Sequence, residues 1–132
     1  MPLQHIQPEG VATPSGYTHV VAAQGSRIIY LAGQVALNAQ GELVGEGDLV
    51  AQATQVYENI KACLASVGAT FADVTKVTQY IVNYSAEMRP GLVDVRFKYL
   101  PTDNPPASTL VGVQALAQPG FLIEIEATAV ID

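Results

Sequence analysis

The sequence predicts one α+β domain, in which two helices cover one face of a mostly antiparallel sheet. A chain of 132 residues has the size of a single domain and buries roughly two thirds of its unfolded surface. The predicted elements follow the order strand, strand, helix, strand, helix, strand, strand, which one two-layer domain over residues 1–132 satisfies. Hydrophobic residues make up 49% of the chain and charged residues 14%. We therefore expect the second face of the sheet to pack against further copies of the chain.

Two short strands are predicted to open the fold as a hairpin. Residues 1–14 are polar and interrupted by prolines, which indicates an irregular arm or a short edge strand. Residues 19–23 and 27–36 have strand composition, and Gln24-Gly25-Ser26 between them has the length of a hairpin loop. The second run is apolar at successive positions, which is typical of a strand that is covered on both faces.

A long amphipathic helix of about five turns is predicted after Asp48, a candidate N-cap. Gly68 stands where a left-handed C-cap is expected. Apolar side chains recur at spacings of three and four: Leu49, Ala53, Val56, Tyr57, Ile60, Cys63, Leu64 and Val67. Polar residues fall mostly between them: Gln52, Gln55, Glu58, Asn59 and Lys61. Cys63 lies on the apolar stripe, so we predict that its thiol packs in the core as a small hydrophobic group.

The middle of the chain contributes one strand and a shorter helix. Phe71-Ala72-Asp73 is predicted to form a turn, and residues 74–84 return to strand composition. Pro90 favours a first helical position. The apolar residues after it predict a helix that ends before Pro101.

The stretch from Pro105 to Ile131 is predicted to be a closing hairpin of two apolar strands. Its strands are joined at Gln118-Pro119-Gly120, where Pro and Gly together favour a turn. In the second strand apolar residues alternate with a set that includes Glu124 and Glu126, and this period of two places both carboxylates on one face. Whether Ser108 of the first strand meets that face depends on the register of pairing.

The composition argues against several classes of function. The formal net charge is −6, from 6 Lys and Arg against 12 Asp and Glu, and no basic run occurs, which disfavours nucleic-acid binding. A single cysteine excludes an internal disulfide framework, and His5 and His19 are too far apart for a zinc signature, so we expect them at the surface or a strand edge. No signal-like leader or apolar run of ~20 residues is found. We predict a soluble, cytoplasmic protein.

The familiar motifs for nucleophilic, phosphate and metal chemistry are absent, so the candidate site is built from separate residues. Glu124 and Glu126 form either a solvated or interface-facing strip or, if partly buried, an acid that positions a water molecule. Tyr17 is either a packed ring or a hydrogen-bonding phenol. Gly33, within an apolar strand, marks either a bulge or close approach of the backbone to a ligand.

The order of elements and four stretches of sequence resemble the RidA family, also called YjgF. The stretches are Gly16-Tyr17, Gly33-Gln34, Pro106-Ala107-Ser108-Thr109-Leu110-Val111-Gly112-Val113 and Ile123-Glu124-Ile125-Glu126-Ala127. The resemblance spans nearly the whole chain. It implies a chorismate-mutase-like fold and a homotrimer, in which the sheets form a central barrel, the helices lie outside, and three small-molecule clefts lie between subunits.

The resemblance also implies an activity, because RidA proteins hydrolyse reactive enamines and imines to 2-oxo acids and ammonia without a metal or cofactor. By motif, the ligand-binding loop tyrosine corresponds to Tyr17 and the glycine of the second strand to Gly33. The acid that positions the attacking water, the catalytic residue, corresponds to Glu124. The arginine that binds the substrate carboxylate is replaced by Ser108, which becomes a candidate ligand-binding residue, and a family cysteine is replaced by Leu110.

The missing arginine changes the expected substrate. Hydrogen bonds to charged groups contribute about 1.5–3 kcal/mol each, and an arginine makes two of them to a carboxylate, whereas Ser108 offers one neutral donor. We expect weak 2-iminobutanoate and 2-iminopropanoate deaminase activity unless Arg27, Arg89 or Arg96 supplies the charge. Two other functions stay open: a non-catalytic ligand-binding or regulatory trimer, and a ribonuclease, which the acidic composition disfavours.

Overall fold

The computed structural model describes residues 3–132. Its strands are β1 (Leu3–Ile6), β2 (Val20–Ala23), β3 (Arg27–Gln34), β4 (Val74–Val82), β5 (Ala107–Val113) and β6 (Ile123–Ile131). Its helices are α1 (Leu49–Ala65) and α2 (Arg89–Tyr99), with short 3-10 helices at Phe71–Asp73 and Ala86–Met88. The predicted order of elements is confirmed, and β1 forms within the arm predicted for residues 1–14, of which Met1 and Pro2 lie outside the described residues.

The strands form two sheets that lie in an α+β arrangement. Strands β1 and β2 pair in a small antiparallel sheet, and the larger sheet has the order β3-β6-β4-β5. Strand β6 is antiparallel to both of its neighbours, whereas β4 and β5 are parallel. Helix α1 packs on β6 and β3, and α2 packs on α1. The predicted class is confirmed. Within residues 3–132, no helix has the length and apolar character needed to cross a bilayer.

The predicted closing hairpin from Pro105 to Ile131 is wrong. Strand β4 lies between β5 and β6 and bonds to both, so that Val77 faces Ser108 on one side and Ala127 on the other. The chain does turn at Gly120, whose φ is +91°, but it then passes the end of β4 before β6 begins. A turn signal reports where the chain reverses and not which strands become neighbours.

The predicted opening hairpin is also wrong. Strand β2 pairs with β1, with Val20 opposite Ile6, and β3 pairs with β6. Gly25 lies against the end of β6, where a Cβ atom would be 2.6 Å from the carbonyl oxygen of Ile131. The short link between β2 and β3 therefore carries the chain from the small sheet over the end of β6 to the edge of the large sheet.

Strand β6 separates the two faces of the larger sheet. Its core-facing residues are at most 4% exposed and pack beneath the helices: Ile123, Ile125, Ala127 and Ala129. Glu124 and Glu126 lie between them on the open face, as the period of two predicts. On the same face, Ile28 and Tyr30 of β3 are 59% and 77% exposed. The edge at β3 therefore presents apolar surface that the single chain does not cover.

The predicted start of α1 and first turn of α2 are confirmed, whereas α1 ends at Ala65 with Ser66 as its C-cap, two residues before the predicted Gly68. Asp48 caps α1, because its Oδ1 accepts a hydrogen bond from the Ala51 amide at 3.1 Å. Gly68 follows the helix with a φ of +76°, and Pro90 lies in the first turn of α2. The prediction for Cys63 is wrong, since this residue is half-exposed at the edge of the apolar stripe.

Gln52, predicted on the polar side of α1, is fully buried. Its Nε2 donates to the carbonyl oxygens of Gly45 at 3.1 Å and Gly120 at 2.9 Å, and its Oε1 accepts from the Leu122 amide at 2.9 Å. One side-chain amide thus satisfies three backbone groups. Helical periodicity cannot predict this, because a polar residue occupies the same position whether it meets water or buried backbone.

Replacing Gln52 with alanine is expected to lower the free energy of unfolding by about 3 kcal/mol, because buried backbone groups lose their partners. Urea unfolding measures the loss. Gln55→Ala is the matched control: Gln55 is half-exposed and its Nε2 donates to Asn59 Oδ1 of the same helix at 2.8 Å, so a loss below about 1 kcal/mol is expected. Equal losses in the two variants would contradict the role given to Gln52.

Candidate functional site

Glu124 of β6 lies directly against Gly33 of β3. The register of these strands shifts between Leu31 and Gln34, which brings the Gly33 backbone beneath the Glu124 side chain. A Cβ atom at Gly33 would lie 2.7 Å from Glu124 Cδ. Gly33 is therefore both a bulge and a point of close backbone approach, and the neighbour it admits is the half-buried carboxylate of Glu124.

Glu126, two residues further along β6, has a different partner. Its Oε1 accepts a hydrogen bond from the Tyr80 hydroxyl at 2.7 Å. This hydrogen bond raises the pKa of Tyr80 above its ordinary value. Burial lowers the pKa of nearby Lys76, an effect that the Glu126 charge opposes. Glu126 thus belongs to a polar cluster on the open face of the sheet, whereas the Glu124 carboxylate lies beside Gly33.

Tyr17 and Ser108, the other two predicted site residues, lie together at the start of β5. Thr18 donates from its hydroxyl and from its amide to the carbonyl oxygens of the Pro105-Pro106 pair, at 2.5 Å and 3.2 Å. These bonds hold the Tyr17 loop beside the strand that carries Ser108. Ser108 Oγ accepts a hydrogen bond from Gln79 Nε2 at 3.3 Å, so a buried amide orients the hydroxyl.

The structure places the four predicted residues in two groups at opposite edges of the sheet. Gly33 lies on edge strand β3 and Ser108 on edge strand β5, which strand spacing alone separates by about 14 Å. Ser108 also shares the helix-facing side with Val77, which is 1% exposed, whereas Glu124 lies on the open side. The register that the sequence left open therefore keeps Ser108 away from the carboxylates of its own chain.

The three arginines considered as replacements for the missing one differ in their contacts. Arg27 donates through Nη2 to the carbonyl of the last residue at 3.2 Å. Arg89 is exposed at the start of α2. Arg96 is half-buried and donates through Nη2 to the carbonyl of Gly16, directly before Tyr17. Burial lowers the pKa of Arg96. Of the three, Arg96 is the one that contacts a predicted site loop.

Two residues of α1 that the sequence did not assign to a site line a cleft beside Gly33. This cleft has a volume of about 390 Å³, and its lining includes Asn59 and Cys63. Asn59 Nδ2 donates to the carbonyl oxygens of Val35 at 3.0 Å and Leu37 at 2.9 Å, which fixes the chain just after β3. Both contacts join segments that are distant in the sequence, so no local pattern signals them.

Both histidines are half-buried, and His5 lies on a strand of the two-stranded sheet, in line with the predicted surface or strand-edge positions. His19 has its Nε2 2.6 Å from the carbonyl oxygen of Ala12. In the part of the chain that the structure describes, no group of three or more His, Cys, Asp or Glu side chains is arranged to hold a metal ion.

The fold and the site motifs together define a small α+β protein of the RidA type, and comparison with known proteins confirms it. The profile of the family described as Endoribonuclease L-PSP matches residues 9–131. This is the RidA, or YjgF, family that the sequence motifs resemble, and the chain belongs to it.

Relatives cover this chain over most of its length. The 3-aminoacrylate deaminase RutC of Acinetobacter baylyi is 33% identical over 98% of both chains. The 2-iminobutanoate/2-iminopropanoate deaminase of Dermatophagoides farinae is 32% identical over 84% of both. The Rid-family protein YyfB of Yersinia pestis, a protein of unknown function, has a solved structure that covers 99% of this chain and 100% of its own, with 43% identity and a TM-score of 0.90.

Replacing Gly33 with alanine is expected to displace the Glu124 carboxylate and to lower the free energy of unfolding by about 1–2 kcal/mol through overpacking. The backbone at Gly33 is not left-handed, so alanine meets no other strain there. In a Glu124→Ala background the carboxylate is gone, so Gly33→Ala should lower the free energy of unfolding by only a few tenths of a kcal/mol. A difference that small is about the deviation seen between independent sites. Urea unfolding of the four proteins measures the coupling. The same loss in both backgrounds would show that a different group restricts position 33.

Proposed function

We propose that the protein is a cofactor-independent deaminase that hydrolyses the C=N bond of a small imine, or of the enamine that tautomerises to it. The observation that carries the proposal is the half-buried carboxylate of Glu124, which occupies the space that a side chain at position 33 would fill. Relatives named as 3-aminoacrylate and 2-imino acid deaminases support this class of reaction.

Glu124 has the chemistry of a general base for the attacking water. Its carboxylate accepts a proton from water as the water oxygen bonds to the imine carbon, and it returns that proton to the nitrogen, which gives a carbinolamine. Transfer of the carbinolamine hydroxyl proton to the nitrogen, again through the carboxylate, makes ammonia the leaving group, and the C–N bond breaks as the carbonyl forms. Imine and water thus give a carbonyl compound and ammonia. Glu126 is less suited to this role, because it already accepts the Tyr80 hydrogen bond at 2.7 Å.

In this proposal the site is completed between the subunits of a homotrimer. Gly33 and Glu124 lie at the β3 edge of the sheet, and Tyr17 and Ser108 lie at the β5 edge. Each edge strand has backbone groups available for a further partner. In this arrangement the β5 edge of one copy packs against the open face at the β3 edge of another, so that Ser108, on the helix-facing side of its own sheet, lies across the interface from Glu124. The same packing covers Tyr30, which is 77% exposed in the single chain. A cytoplasmic location stays a prediction.

The serine at position 108 favours a substrate that has no carboxylate beside the C=N carbon. A serine hydroxyl offers one neutral hydrogen bond, whereas an arginine pairs with a carboxylate through two charge-assisted bonds. Leu110, two residues further along β5, is 39% exposed, so this edge of the site is apolar. The proposed substrates are therefore neutral imines and enamines, with 2-imino acids hydrolysed more slowly.

The same two residues favour a second candidate, a trimer that binds a small molecule without converting it. Such a protein needs the cleft but not the base, and the less charged edge formed by Ser108 and Leu110 suits neutral ligands. The ribonuclease activity in the family's description receives no support from this chain, whose net charge of −6 opposes contact with phosphates.

Ammonia release from freshly generated imines, both neutral and carboxylate-bearing, tests the reaction. Glu124→Gln is expected to lower kcat by about 100-fold or more, because an amide cannot accept the proton. Glu126→Gln, the matched control on the same strand, should keep most of the activity. If wild type and Glu124→Gln both equal buffer across the panel, the deaminase proposal fails, and ligand-induced shifts in Tm then test the binding alternative.

Ser108→Arg tests the substrate class separately. The new guanidinium is expected to raise kcat/KM for 2-iminopropanoate by about tenfold or more, since a charge-assisted bond replaces a neutral one. The rate with a neutral imine of similar size serves as the control and should not rise. A gain for both substrates, or for neither, would contradict the role given to position 108.

A further inference from the structure

The loop that carries Tyr17 is attached to α2 through Arg96 and Phe97. Arg96 Nη2 donates to the carbonyl of Gly16. Gly16 lies close to the Phe97 ring: a Cβ atom built on Gly16 would be 3.6 Å from the ring Cζ. Its φ of +78° is a left-handed conformation that glycine adopts without strain. These contacts fix the peptide unit that immediately precedes Tyr17.

Arg96 occupies an unfavourable place for a free cation. It is half-buried, and both its burial and the charge of Arg89 lower its pKa. The group that opposes them is the phenol of Tyr57 and not a carboxylate. A cation taken out of water is retained only where it gains strong hydrogen bonds, and the bond that Arg96 makes is to the Gly16 carbonyl. The charge is therefore directed at the loop.

The other side of the same loop is bonded to the start of β5. Thr18 donates to the carbonyls of the Pro105-Pro106 pair through its hydroxyl at 2.5 Å and its amide at 3.2 Å. The Tyr17 ring also stands edge-on to the His19 ring, with centroids 5.2 Å apart. Tyr17 thus lies between two anchors, one to α2 through Gly16 and one to β5 through Thr18.

We propose that Arg96 is a positioning residue, which holds the Gly16 carbonyl and thereby sets the place of Tyr17 relative to Ser108. It acts on ligand binding through Tyr17 and does not contact the ligand, so it is not a substitute for the missing carboxylate-binding arginine. The effect on the ligand rests on the proposed function, in which Tyr17 lines the cleft. The effect on the position of the loop does not depend on the proposed function.

Hydrogen exchange of the Thr18 amide tests the effect on the loop without any assay of activity. Arg96→Met is expected to speed this exchange by about tenfold or more, because the charge-assisted bond to the loop is lost. Arg96→Lys keeps a cationic donor and should restore part of the protection. Arg89→Met, at an exposed position of the same helix, is the matched control and should change nothing. Unchanged exchange in Arg96→Met, with the α1 amides still protected, would overturn the inference.

Steady-state kinetics of imine hydrolysis test the step through Tyr17. Arg96→Met should raise KM by about tenfold while kcat changes less, and it should have little further effect in a Tyr17→Ala background, since residues that act through one another are not additive. Additive effects would overturn the inference. If Tyr17→Ala alone leaves hydrolysis unchanged while the Thr18 exchange responds, the assignment of Tyr17 to the site fails and the positioning of the loop is supported.

Discussion

Strand β6 is hydrogen-bonded on both sides, and this constraint determines both faces of the sheet. Its partners β3 and β4 are antiparallel to it, so residues opposite one another share a face. The alternate residues from Ile123 to Ala129 pack beneath the helices, and Glu124 and Glu126 are left on the other side. A slip of one residue would bury both carboxylates and expose the core, so the position of the candidate base follows from the core itself.

Local signals predicted most of the secondary structure but not the pairing of strands. The cap at Asp48, the left-handed Gly68 and the alternation around Glu124 each depend on a few neighbouring residues and were predicted correctly. The two predicted hairpins were wrong because strand partners are set by contacts distant in the sequence. The buried position of Gln52 was missed for the same reason, since its partners lie in two loops, one of them near Gly120.

The candidate site shows the same division. Motifs proposed Tyr17, Gly33, Ser108 and Glu124 as candidates, and within one chain Gly33 and Glu124 lie at one sheet edge while Ser108 and the Tyr17 loop lie at the other. Nothing in the sequence signals this separation, because it depends on β4 lying between β5 and β6. Nor does the sequence single out Arg96 among the three candidate arginines, because its contact with the Tyr17 loop joins segments 80 residues apart. Side chains that position a site through backbone carbonyls leave no local pattern.

The central claim is that Glu124 of one copy and Tyr17 of another form one site, and refolding two impaired variants together tests it most directly. In an equal mixture of Glu124→Gln and Tyr17→Ala, about a quarter of the interfaces combine a wild-type Glu124 with a wild-type Tyr17, because the two sides of each interface come from the two variants at random. The activity of the mixture is therefore expected to exceed the mean of the two variants measured separately and to approach a quarter of the wild-type level. Sedimentation of the same mixture should show a trimer. A trimeric mixture no more active than that mean, or a chain that sediments as a monomer at micromolar concentration, would contradict the shared site.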